Sequence, residues 1–296
     1  MQPAELRRLE TGQLIPYHPC MEKRDYQPLI ELALKEDLGE LGDITTQAIA
    51  SAPCRALLLS KDEGILAGEE VFQAVFQRLD PQVRVDFLFH DGDSLKPGDE
   101  VAAVEGMSGS ILSAERTALN FLSFLSGVAT QTHLFVQEAA RHGKAQILDT
   151  RKTPPGYRAL CKYAVRAGGG VNHRQGLFDM ILIKDNHIER AGSVGRAIES
   201  VREKWGNRFT VEVECRDLEE VAAALAGGAD ILMLDNMSLE MIRQAVSMTR
   251  GRASLEVSGR MDLEGVRRVS SEGVDRISVG RITHSVSSFD FSLQML

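Results

Sequence analysis

From residue 147 onward the chain repeats one unit: a short apolar run, a polar or glycine-rich end, then a helical stretch. The runs end in "ILDTRK", "MILIKDNH", "FTVEVECRD", "DILMLDNM", "SLEVSG" and "RISVGR". Arg151, Lys184, Glu214, Asp235, Ser258 and Gly280 mark those ends, roughly 20 to 33 residues apart, enough for one strand and one helix. Repeated βαβ connections make parallel strands with helices outside. Six such units, none with a GxGxxG turn, favour a (β/α) barrel over a dinucleotide-binding sheet.

The first hundred residues follow another grammar. Residues 1 to 25 carry Pro3, Pro16 and Pro19 and read as an irregular arm. "YQPLIELALKEDL" has helical spacing and stops at Gly39. "CRALLLSKDEGILAG" reads as a strand pair turning at Asp62-Glu63-Gly64, "EEVFQAVFQRL" as an amphipathic helix, and "VRVDFLFHDGDSLKPGDEVAAVEG" as a small antiparallel sheet. Ser113–Gly143 reads as one or two helices capped by Ser113. The expected fold is therefore α/β: an α+β open sandwich over 1–115 and an incomplete (β/α) barrel over 116–284. The apolar tail 285–296 is expected to pack back on the first domain.

Composition narrows the partners. A net charge of −8 argues against a general nucleic-acid or membrane-surface binder, while leaving room for a local basic pocket. Cys20, Cys54, Cys161 and Cys215 form no CxxC pair, which points to a reducing cytoplasm. The start is charged and lacks an apolar core, so no secretory signal is expected; no apolar run is long enough to span a bilayer.

In a barrel the strand C-terminal ends converge on one mouth. Arg151, Lys152 and Lys184, with Asn172-His173-Arg174, make a cationic group there. Arg grips a carboxylate through two parallel hydrogen bonds and Lys supplies a point charge. Glu214 and Asp235 make an acidic group, suited to sugar hydroxyls or to Mg²⁺ bridging to a phosphate. "VSG" and "VGR" (Val279, Gly280, Arg281) end the last two strands, where barrels often seat a phosphate. Blander readings exist: His173 as an ordinary loop histidine, and Glu212 with Glu214 as a charged strand edge. The remaining histidines form no HExxH or HxH pattern, so a protein-held catalytic zinc is not expected.

Together, "ALKEDLGELGDITT", "ERTALNFLSFLSGVATQT", "DTRKTPPGYR", "KYAVRAGGGVNHRQGLFDMILIKDNHI", "VEVE", "LDNM", "EVSG", "ISVG" and "THS" resemble the quinolinate phosphoribosyltransferase family over nearly the whole chain. The resemblance implies an N-terminal sandwich joined to an incomplete barrel, and a homodimer or larger homo-oligomer with shared sites. It implies NAD biosynthesis from quinolinate and phosphoribosyl pyrophosphate, with Mg²⁺, giving nicotinate mononucleotide, pyrophosphate and CO₂. It puts Arg151, His173, Arg174 and Lys184 around the quinolinate carboxylates, with Arg116 reaching in from a partner subunit. It puts Lys152, Glu214 and Asp235 at the phosphoribosyl donor and its metal, beside Thr150, with Ser258, Gly259 and Gly280 on phosphate. Lys152 or a water is the expected proton source after decarboxylation. Arg260 and Arg281 depart from the small residues common at those positions and either contact phosphate or point outward. The alternatives are a same-fold paralogue with another anionic substrate, such as the molybdenum-locus relatives, a Schiff-base lyase using Lys184, or a non-catalytic anion-binding regulator.

Overall fold

The computed structural model describes residues 6–8, 14–16, 21–49 and 51–296. Leu6–Arg8 pairs antiparallel with Leu14–Pro16, so part of the expected irregular arm is a short ribbon; Cys20 and His18 lie outside the described residues. The chain divides into two compact units: 1–133 with 154–169 and 285–296, and 134–153 with 170–284. The expected boundary at 115 falls inside one continuous helix, Ser108–His142, which starts five residues before the expected cap. Ser113 lies within that helix, and its hydroxyl donates to Asp43 at 3.1 Å instead of capping an end.

The first unit centres on a four-stranded antiparallel sheet in the order Phe291–Met295, Pro53–Ser60, Glu100–Met107, Arg84–Phe87. Helix Glu69–Leu79 buries Val71, Phe72, Val75 and Phe76 on one face, as its spacing dictates. The hairpin expected around Asp62 does not form. Pro53–Ser60 is paired along its length by two long strands, while Gly64–Ile65 pairs with Ser94–Leu95. Beyond Ser60 the Lys61 N–H bonds Asp290 O at 2.9 Å, which leads the chain away from its own strand.

The second unit holds a parallel six-stranded sheet in the order Gln146–Leu148, Arg276–Ser278, Ser254–Ser258, Ile231–Asp235, Val211–Cys215, Ile181–Ile183. The first strand in sequence thus lies beside the last, and the two free edges belong to consecutive strands. That is a (β/α) barrel left open between its first two strands. A single parallel bridge, Leu148 to Val171, extends the first edge.

Register decides what each face carries. Val211, Val213, Cys215, Leu232, Leu234, Leu255, Val257 and Ile277 alternate onto one face and are buried, as an apolar sheet face covered by helices requires. Glu214, Met233, Glu256 and Arg276 are in register on the other face, with Glu212 before them and Asp235 opposite Ser258 beyond them. Charged groups thus gather on one face of the sheet, on strands Val211–Cys215, Ser254–Ser258 and Arg276–Ser278, with Asp235 at the end of the strand between the first two. Among the described residues, no helix is long and apolar enough to cross a membrane.

Candidate active site

Asp149, at the end of the first parallel strand, is buried, and its carboxylate clasps the loop that leads to the second strand. Asn172 Nδ2 donates to one oxygen at 2.5 Å and the His173 N–H to the other at 2.9 Å. The clasp ties the "DTRK" turn to "NHR" across a gap of more than twenty residues, a link that spacing alone did not reveal. Further along, Asp179 accepts from the Gln175 and Gly176 N–H groups at 2.6 and 2.9 Å, closing the same loop.

Arg174, half-buried in this loop, donates to Met180 O at 3.4 Å. Burial and the neighbouring Arg151 charge push its pKa below the usual guanidinium value. Two cations are therefore brought close together at the strand ends, an arrangement that an anion relieves. Lys184, grouped with the cations by sequence, also meets the acidic group: its ammonium donates to the Glu214 carboxylate.

His173 is not an exposed loop histidine. Its side chain is 7% exposed, with Nε2 lying 3.1 Å from Glu212 Oε2 and 3.4 Å from Glu256 Oε1. Both carboxylates are fully buried, so the reading of Glu212 as a charged strand edge is also corrected. Burial raises the pKa of Glu212, since a low-dielectric interior disfavours the ion. The two acids draw the imidazole up to about 9 against the burial that lowers it.

The donor-side candidates fall at the ends of the neighbouring strands. Thr150 Oγ1 accepts from the Lys152 N–H at 3.0 Å, and Thr283 Oγ1 donates to Lys152 O at 2.7 Å. The Lys152 stem runs against Gly280, where an added Cβ would meet Lys152 Cδ and the His284 ring at 3.3 Å. Arg151 thus neighbours Arg174, while Lys152 neighbours Gly280 and His284. His284 was not singled out from the sequence, although "THS" contains it.

Asp235 accepts from Asn236 Nδ2 at 2.8 Å. Asn236 takes a left-handed backbone (φ 52°), and its N–H bonds Ser258 O at 2.9 Å. Gly259 passes so close that a Cβ would stand 3.0 Å from Asn236 Oδ1. Val279 is buried and its N–H bonds Leu148 O at 2.8 Å, so the sheet ladder uses that group. Arg260 and Arg281 are exposed. Arg116 is exposed on the long helix of the first unit, while all the other candidates lie on the second.

The quinolinate phosphoribosyl transferase C-terminal domain model matches residues 128–294, and its N-terminal domain model matches 43–126. The chain belongs to the quinolinate phosphoribosyltransferase family. It is 40% identical to the quinolinate phosphoribosyltransferase (decarboxylating) 2, mitochondrial, of Nicotiana glauca, covering 97% of this chain and 86% of that one. It is 42% identical to a probable nicotinate-nucleotide pyrophosphorylase (carboxylating) of Bacillus subtilis, over 88% of this chain and 90% of the relative. The structure of the nicotinate-nucleotide pyrophosphorylase from Francisella tularensis superposes with a TM-score of 0.91 at 41% identity, covering 94% and 98% of the two chains. The expected fold, two α/β domains with a barrel in the C-terminal one, is that of this family.

Proposed function

We propose that this chain transfers the phosphoribosyl group of phosphoribosyl pyrophosphate to quinolinate and decarboxylates the adduct, giving nicotinate mononucleotide, pyrophosphate and CO₂ for NAD biosynthesis. Family membership supports the reaction class. The observation that carries the substrate is the meeting of Arg151 and Arg174 at the strand ends, a pair of cations suited to a dicarboxylate.

In this reading the pyridine nitrogen attacks C1 of the ribose while the C1–O bond to pyrophosphate breaks. Charge builds on C1, and Glu214 and Asp235, on one face of adjacent strands, stabilise it electrostatically. Lys152, beside Gly280 and His284, takes up the leaving pyrophosphate charge. The Glu214 and Asp235 oxygens are hard donors suited to Mg²⁺, which would neutralise pyrophosphate charge there. The ribosylated nitrogen is then cationic, so the C2–carboxylate bond breaks with its electron pair left on C2. A proton from Lys152 or a water completes the product. Lys184, paired with Glu214, adds its positive charge beside the acidic group.

The same reading includes a homodimer with shared sites. Leu41, Ile44, Ile49 and Leu112 are exposed on the first unit, and Arg116 follows Leu112 by one helical turn. A second copy covering that patch would bring Arg116 to the partner's pocket. Cytoplasmic residence is supported by the thiols Cys54 and Cys215.

Arg174→Ala and Arg151→Ala should each raise the quinolinate KM by about tenfold to a hundredfold, the worth of a hydrogen bond to a charged group. Steady-state kinetics with each substrate varied checks this. An unchanged quinolinate KM in both variants contradicts the dicarboxylate assignment.

A further inference from the structure

His173 is deeply enclosed, and its surroundings fix which tautomer it takes. The Arg174 N–H donates to Nδ1 at 2.7 Å, so Nδ1 keeps its lone pair. A neutral imidazole carries one N–H, which must then sit on Nε2, between the Glu212 and Glu256 carboxylates. The pull of the two acids toward an imidazolium is opposed at the same point, since a second proton would have to enter at Nδ1, where the Arg174 N–H already points. Donor atoms of His173, Glu212 and Glu256 lie within 4.8 Å of one another, and a metal at Nε2 would drive the ring proton to Nδ1, where the Arg174 N–H already points.

The two acids are themselves rigidly placed. They stand on strands Val211–Cys215 and Ser254–Ser258, either side of Ile231–Asp235, and Ser278 Oγ donates to Glu256 Oε1. Glu212 Oε1 and Oε2 and Glu256 Oε2 have no hydrogen-bond partner among the described residues; the imidazole Nε2 beside both acids and the Ser278 hydroxyl on Glu256 are the polar groups seen to face these carboxylates. On its other side the imidazole holds the backbone of Arg174, whose guanidinium shares its surroundings with Arg151.

We propose that Glu256 and Glu212 are positioning residues for the carboxylate-binding cations: they hold His173 as the Nε2–H tautomer, whose Nδ1 anchors the Arg174 backbone and aims its guanidinium at quinolinate. This rests on the quinolinate reading of the site. The glutamates act through His173 and touch no substrate.

Glu256→Gln tests the chain of contacts with little change of shape. Ser278 Oγ and His173 Nε2 both face Glu256 Oε1, so the new amide presents one atom to both: an N–H₂ meets two donors, and an oxygen serves both without the charge. Either way the hold on the Nε2 proton weakens, and with it the lone pair that Nδ1 offers the Arg174 N–H. Two further variants split the ring: in His173→Asn the side-chain oxygen stands where Nδ1 stood, and in His173→Gln the terminal amide stands where Nε2 stood. Kinetics with both substrates, alongside thermal melts, should show Glu256→Gln and His173→Gln raising the quinolinate KM about tenfold to a hundredfold, with the phosphoribosyl donor KM within about twofold. His173→Asn should retain more quinolinate affinity than His173→Gln. If Glu256→Gln fails to fold, the two His173 variants decide alone. Equal loss of affinity for both substrates, or His173→Asn binding no better than His173→Gln, overturns the proposal. An active wild type with unaffected variants sinks this inference alone; a wild type that turns over no quinolinate sinks the reading beneath it.

Discussion

Asp91 shows how a single half-buried acid can hold a local fold together. Its carboxylate accepts from the Gly68 and Glu69 N–H groups at 2.8 and 3.2 Å, at the start of helix Glu69–Leu79, and from the Tyr163 hydroxyl. Burial, with the Glu69 charge adding to it, pushes its pKa up to about 6. The folded chain therefore keeps this proton to about pH 6, whereas the unfolded chain releases it near pH 4. The sign follows directly: the folded state binds more protons between those values, so stability from this group is full below pH 4 and falls as pH rises to 6. Urea midpoints across that range should drop in the wild type and lose this component in Asp91→Asn; an unchanged slope contradicts it. At this scale the sequence was only half legible. "DTRK" and "NHR" announced cations, but the Asp149 clasp and the His173–Glu212–Glu256 cluster depend on contacts between residues distant in the chain, which periodicity does not encode.

Elements were most legible where one strong periodicity met one strong stop. Glu69–Leu79 emerges as its amphipathic spacing reads, and Gly39, at φ +53°, ends the preceding helix with its N–H on Lys35 O. The Asp62 hairpin misled because a turn signal specifies a reversal and not a partner; two longer strands compete for Pro53–Ser60 and win. Glycine within the long helix has a packing reason. A Cβ on Gly127 would stand 2.3 Å from Ser287 O and 3.0 Å from Val286 Cγ1, where the C-terminal segment returns across the helix. Gly127→Ala should cost about 1–3 kcal/mol through overpacking, while Gly195→Ala, in open space on helix Val194–Trp205, should leave stability unchanged or raise it by about 0.5–1 kcal/mol. Urea denaturation separates the two; equal effects would contradict the close approach.

For the whole molecule, the repeated strand-and-helix unit made the barrel readable, because parallel strands alternating with helices leave a regular trace. The division of the chain was harder to read. Helix Ser108–His142 runs through the expected boundary without a break, and 154–169, although inserted between two barrel strands, belongs to the first unit. Sharing of sites between two copies leaves no local signature except exposed apolar groups beside Arg116. Mixing Arg116→Ala chains with Arg151→Ala chains should restore turnover approaching one wild-type site in four dimer sites, the statistical yield of intact pockets in a random mixture. No recovery, with both variants folded, contradicts sharing.

The most direct measurement uses quinolinate labelled in its 2-carboxylate, incubated with phosphoribosyl pyrophosphate and Mg²⁺. The account predicts labelled CO₂ released one for one with nicotinate mononucleotide and pyrophosphate, and none without the phosphoribosyl donor. Retention of the label, or nicotinate replacing quinolinate as the better substrate, would contradict it.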